Sequence, residues 1–172
     1  MRWILDACTL IYLVKTKLFS TFMTLVEYPV VIDSSVYREV VTNGKANNYP
    51  DASDAEVSLN KFKIPVISID ISEDFHRFRD LGETSCYILT KEDGICLTSD
   101  DRAYKKFKNE EQKVMRMDSF YFEKRNQNRI TEKDFIEILK KLESVNATKP
   151  KSILFFLENI QQNKNKKVKN ND

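Results

Sequence analysis

Residues 2–19, RWILDACTLIYLVKTKLF, decide the fold. RWIL is an apolar run of strand length closed by Asp6, and the ACTLIYLVKTKLF that follows carries the longer apolar periodicity of one helix. A buried strand feeding straight into a helix is the opening step of a parallel α/β sheet. The step recurs along the chain. PVVID (29–33) leads into SVYREVV (35–41), with Pro29 tolerated as a strand's first residue, Ser34 or Ser35 available as a cap, and Asn43 and Gly44 as the stop. KANNYPDAS (45–53) reads as a loop and DAEVSLNKF (54–62) as a helix. IPVISI (64–69), ICLTS (95–99) and KVMRM (113–117) supply the third, fourth and fifth strands. Between them EDFHRFRD (73–80), LGETSCYILTKED (81–93, ending near Gly94) and DDRAYKKFK (100–108) read as helices. Strands alternating with helices of this length predict a parallel sheet covered by helices on both faces.

Beyond Arg129 the pattern changes. TEKDFIEILKKLE (131–143) and PKSILFFLENIQQ (150–162) are amphipathic helices with no strand between them, the second carrying the stripe Ile153, Phe156, Leu157 and Ile160. The expected organisation is therefore an α/β domain over residues 1–129, a helical extension over 130–163 and a fraying basic tail over 164–172. The stripe offers an interface for a second copy of the chain or for another protein.

Composition narrows the class. An apolar fraction of 41% beside 31% charged residues describes a globular chain, and only 3 Gly and 4 Pro leave little room for low-complexity sequence. The first residues carry Asp6 inside their apolar run and lack a signal-peptide cleavage pattern, so a cytoplasmic location away from the membrane is expected. Cys8, Cys86 and Cys96 show no C-x-x-C spacing and read as reduced thiols. Net charge is +2, with +4 from residue 146 onward and −2 before it, a distribution compatible with nucleic acid.

Four acids carry the chemistry. Asp6, Glu39, Glu83 and Asp100 each stand where an apolar segment gives way to a helix, or inside that helix. In a parallel sheet those junctions share one edge, so carboxylates far apart in sequence can converge there. Such a set of hard oxygen donors suits Mg²⁺ or Mn²⁺, and with it phosphodiester hydrolysis. Each acid also has an ordinary explanation: Asp6, Asp100 and Asp101 can cap helices, Glu83 can favour a helix dipole, and Glu39 can lie on a solvated face. Their joint placement is what favours a site.

Rival readings lack their motifs. A haloacid dehalogenase-like phosphatase needs an acid where Cys8 stands, and neither a P-loop nor a G-x-G-x-x-G turn is present. A Cys8 nucleophile would have only His76 as a distant base. Asp70, Glu73, Asp74 and Asp80, interleaved with Arg77 and Arg79, read as a solvated face. Lys45, Tyr49, Lys105, Lys106 and Lys108 are candidates to meet phosphates, and Trp3 belongs in the core.

The segments ILDACTLIYL, SSVYREVV, LGETSCYIL and CLTSDDRAYKKF, in this order, resemble the PIN-domain nucleases over residues 2–120. The resemblance implies a Rossmann-like α/β/α fold and a divalent-metal site that cuts RNA, often in the toxin of a toxin/antitoxin pair. It maps Asp6, Glu39, Glu83 and Asp100 onto the acidic quartet, Asp101 onto a neighbouring acid and Thr98 onto the small hydroxyl residue near the fourth acid. Two departures stand out: Cys8 replaces the usual Ser or Thr, with Thr9 next to it, and the C-terminal extension is long. The resemblance implies a Mg²⁺- or Mn²⁺-dependent endoribonuclease, with an antitoxin or other protein as a partner and a homodimer as an expected assembly. The alternatives are a non-catalytic module that binds RNA or protein, and a structure-selective DNA nuclease.

Overall fold

The computed structural model describes residues 1–169 apart from Glu73, Phe75, His76, Arg77, Arg79 and Asp80, with side chains described through residue 162. Most of the helix expected over 73–80, His76 included, therefore lies outside the described residues, and so do the side chains of the basic tail beyond residue 162. Packing divides the chain into two units, Met1–Met117 and Asp118–Asp172.

The first unit is built on a parallel sheet of five strands in the order β3-β2-β1-β4-β5. They are β1 (Arg2–Leu5), β2 (Val30–Asp33), β3 (Val66–Ile67), β4 (Gly94–Leu97) and β5 (Val114–Met115). β1 is central, and Trp3, Ile4 and Leu5 are all but fully buried, as both faces of a parallel sheet require. Chain order turns from one side of the sheet to the other between β1 and β4, and the crevice at the carboxyl ends of two such strands is where ligands enter folds of this kind.

The first helix is two. α1 (Ala7–Lys15) ends where Lys17 takes a left-handed φ of 56°, and α2 (Phe19–Leu25) turns away. Gly44 does not stop the second helical run. α3 (Ser34–Tyr37) passes into a π-helical segment (Arg38–Asn43) and on to α4 (Gly44–Ala46), so Gly44 lies inside a continuous helix with φ −58°. Its role is contact: a Cβ there would stand 2.8 Å from the Cβ of Ala52 on α5 (Pro50–Lys61). α5 starts earlier than expected because Pro50 occupies its first turn, where a missing N–H costs nothing.

α6 (Leu81–Lys91) precedes β4, and the left-handed turn between them falls on Asp93, φ 83°. Gly94 is the first residue of β4, where a Cβ would meet Ile4 Cδ1 at 2.1 Å and the Leu89 carbonyl at 2.8 Å. α7 (Asp101–Asn109) follows β4.

Sequence reading missed α8 (Met117–Asn126), whose polar and aromatic residues hide a helical period. α9 (Glu132–Ser144) begins with a capping box between Thr131 and Asp134, and α10 is Pro150–Lys169. Within the second unit Phe122, Phe135 and Phe156 pack ring on ring, with centroids 4.7 to 5.8 Å apart. The stripe expected on α10 splits: Phe156 and Ile160 are buried, while Leu157 is exposed together with Leu154 and Phe155. Among the described residues no helix is long and apolar enough to cross a membrane.

Candidate active site

The carboxyl ends of β1 and β4 open into a hollow of ≈ 130 Å³ lined by Asp6, Ala7, Cys8, Glu39, Gly82, Glu83 and Asp100. All four acids of the quartet thus line one cavity. A larger hollow of ≈ 400 Å³, near the start of β4, is lined by Thr90, Lys91, Asp93, Glu111, Gln112 and Lys113. Its lysines are already matched by carboxylates, Lys91 with Asp74 and Lys113 with Asp93, so chemistry favours the smaller one.

Each acid reaches the hollow for a local reason. Asp6 is the N-cap of α1 and Asp100 the N-cap of α7; their Oδ1 atoms accept the backbone amides of Thr9 at 2.8 Å and of Ala103 at 2.7 Å. Capping and lining the hollow are the same placement, because a capping carboxylate sits at the strand end. Glu83 is in the first turn of α6. Glu39 is the second residue of the π-helical segment, a local rewinding common at functional positions.

The walls at Asp6 and Asp100 are tied together. Leu5 pairs with Leu97 across the sheet, the Thr9 hydroxyl donates to the Leu97 carbonyl at 2.7 Å, and the Asp100 amide donates to Thr98 Oγ1 at 3.1 Å. Thr9 thus spends its proton on the backbone. Cys8 stands beside Asp6 instead, donating its thiol toward Oδ1 at 3.1 Å and Oδ2 at 3.0 Å, with Thr98 Oγ1 3.7 Å from the sulfur.

Burial grades the acids. Asp6 is 8% exposed, Glu83 half-buried, and Glu39 and Asp100 exposed. Burial raises the Asp6 pKa above its ordinary 3.8, against the pull of hydrogen bonds from Thr98, Cys8 and Thr9. Burial likewise pushes the Cys8 thiol well above its ordinary value, with the Asp6 charge adding to it. Tyr12, not singled out from the sequence, is one turn beyond Cys8 on α1. Its phenol is raised by burial and by the charges of Cys8, Asp6 and Asp100.

Asp101 does not line the hollow. It forms an ion pair with Arg116, just past β5, whose guanidinium also lies over the Tyr104 ring, 5.7 Å from its centroid. Of the lysines considered for phosphate contact, Lys45 is paired with Glu56, and Lys106 lies 4.1 Å from the Phe78 ring centroid. Trp3 is core. Cys86 and Cys96 are buried thiols in no disulfide. Asp33, also unremarked in the sequence, ends β2 beside Asp6 and caps α3 in place of Ser34 or Ser35. The available signal was its position, since PVVID ends as RWILD does.

The donor set fits a hard divalent cation in kind: four carboxylates, no histidine among the lining residues. As the side chains stand, no three Asp, Glu, His or Cys among the described residues form a ready ligand group. Mg²⁺ ordinarily takes one or two protein carboxylates and completes its shell with water and phosphate oxygens, so a closed cage is not required. Empty carboxylates grouped in one hollow also repel one another.

Comparisons with known proteins speak to the fold and the family. The chain is similar to "a domain of a functionally unknown protein" from Methanocaldococcus jannaschii DSM 2661, at 19% identity and a TM-score of 0.50, over 67% of this chain and 90% of that one. That similarity speaks for the fold. No curated protein matches the chain. The family model of the PIN domain, a family whose members are generally nucleases, matches residues 2–154. The chain belongs to the PIN-domain family.

Proposed function

We infer that the chain is a metal-dependent endoribonuclease, in which Asp6, Glu83 and Asp100 hold a Mg²⁺ or Mn²⁺ ion and Glu39 supports it or a second one. The observation that carries this reading is the convergence of four acids, from four separate segments, on one small hollow at the switch point of the sheet. When bound, the cation supplies activation of the attacking water and stabilisation of charge on the phosphodiester oxygens.

The chain's own groups set the stage for that chemistry. Asp6 is fixed by the Thr9 amide and the Cys8 thiol, so its carboxylate needs little reorganisation. Asp100 is fixed in the same way by the Ala103 amide. Asp101 and Arg116 hold the start of α7 toward the end of β5 and thereby steady Asp100. The exposed Leu154, Phe155 and Leu157 support a protein partner, such as the antitoxin of a toxin/antitoxin pair.

The test is cleavage of matched RNA and DNA strands by the purified chain with Mn²⁺. EDTA-sensitive RNA cleavage, absent in Asp6→Asn and Asp100→Asn, is the expected result. Cleavage of DNA alone would replace the substrate, and binding of RNA without cleavage of either strand would make the chain a recognition module.

A further inference from the structure

A second carboxylate stands beside Asp6. Ile4 pairs with Val31, so two residues on, Asp6 and Asp33 end neighbouring strands at matched positions. Asp33 is 3% exposed. Its Oδ1 accepts both the backbone amide of Ser35, at 2.8 Å, and the Ser35 hydroxyl, whereas its Oδ2 is buried with no hydrogen-bond partner. Ser35 Oγ lies 3.0 Å from Ser85 Oγ, across fifty residues of sequence, and Ser85 Oγ lies 3.0 Å from the Gly82 carbonyl. Gly82 is itself a wall of the acid hollow.

Hydrogen bookkeeping gives this chain a direction. Ser35 has one hydroxyl proton, and an acceptor-only carboxylate takes it. Its oxygen is then left to accept from Ser85, whose single proton also goes to the Gly82 carbonyl at 3.0 Å, so that it is shared between the two acceptors. A buried carboxylate with an unspent oxygen is costly, and such a group calls for an explanation beyond capping a four-residue helix.

The geometry points to Asp33, acting through Ser35 and Ser85, as a positioning residue that fixes the wall carrying Gly82 and Glu83 against the helical run carrying Glu39. Ser35 lies one helical turn before Glu39, and Ser85 is two residues after Glu83. The hydroxyl bridge therefore joins the start of α3 to α6 just past Glu83, and sets the width of the hollow between the two segments that carry these acids. Asp33 holds no ligand position of its own. This inference rests on the reading of the hollow as a cation site.

The test uses the full chain with Mn²⁺ as the probe, titrated by calorimetry and by the electron paramagnetic resonance of the free ion. Ser35→Ala removes the central hydroxyl but keeps the backbone amide on Asp33. It is expected to weaken Mn²⁺ binding roughly tenfold, the lower end of what loss of a supporting hydrogen bond costs a metal site. Ser35→Thr restores the hydroxyl and the affinity. Ser85→Ala, from the other end of the bridge, weakens binding to the same degree, and in cleavage lowers kcat at subsaturating metal with KM for the nucleic acid unchanged. Wild-type Mn²⁺ affinity in both alanine variants overturns the positioning role and leaves the cation site intact. A wild-type chain that binds no Mn²⁺ overturns the site and the positioning role together.

Discussion

The Cys8 thiol donates to both carboxylate oxygens of Asp6, at 3.1 and 3.0 Å, inside the hollow that Glu39, Glu83 and Asp100 complete. A thiol is a weak donor, so this contact stabilises the Asp6 anion less than a hydroxyl would. Cys8→Ser is predicted to keep the fold and lower the Asp6 pKa, whereas Cys8→Ala raises it further. The acid limb of the cleavage pH profile reads this: it moves to lower pH in the serine variant and to higher pH in the alanine variant. Identical limbs in all three proteins would separate Cys8 from Asp6.

The same burial makes Cys8 unreactive. With its pKa pushed well above the ordinary 9.0, little thiolate is present near neutrality. Iodoacetamide should label Cys8 in the native chain more than about tenfold slower than a free thiol at pH 7.5, and at the free rate after unfolding. Mass spectrometry of the labelled peptide distinguishes the two.

The Asp6 shift also has a sign in stability. The folded state binds the Asp6 proton more tightly than the unfolded state, so unfolding releases it. Without metal, the contribution of Asp6 is most favourable below 3.8 and declines as pH rises from there through its raised folded value. Above that window the buried anion is a standing cost. Asp6→Asn is therefore expected to melt higher than wild type at neutral pH in EDTA, and the difference should vanish in acid. An equal or lower melting temperature at neutral pH would show that capping of α1 by the charged carboxylate outweighs its burial.

Glycine at position 94 is a packing requirement. Its Cβ would meet Ile4 in the central strand and the Leu89 carbonyl of α6, and the carbonyl cannot yield as a side-chain end can. Gly94→Ala should destabilise the chain by about 1–3 kcal/mol, the usual range for overpacking, with the loss read from denaturant melts. A change near zero would mean that β4 can slide away from β1.

The sheet was legible because RWILD, PVVID and ICLTS carry strand-length apolar runs with helical periods behind them, whereas the family resemblance rested on ILDACTLIYL, SSVYREVV, LGETSCYIL and CLTSDDRAYKKF. The acids at the strand ends were legible for the same reason, since topology alone gathers Asp6 and Asp100. Glu39 was harder, because its aim depends on a π-helical segment that no residue pattern announces. Gly44 was misread as a stop, since its role is a contact with Ala52, a partner that sequence spacing does not reveal. Asp33 was passed over because a strand-ending aspartate before two serines looks like one more cap, and its link to Ser85 exists only in three dimensions.

Whether the four carboxylates form one cation site is decided by Mn²⁺ titration of the wild type beside Asp6→Asn, Glu39→Gln, Glu83→Gln and Asp100→Asn. A shared site gives saturable binding by the wild type, a loss of about tenfold or more in the Asp6, Glu83 and Asp100 variants, and a smaller loss in Glu39→Gln. Wild-type affinity in the first three variants, or no binding by the wild type, would contradict it.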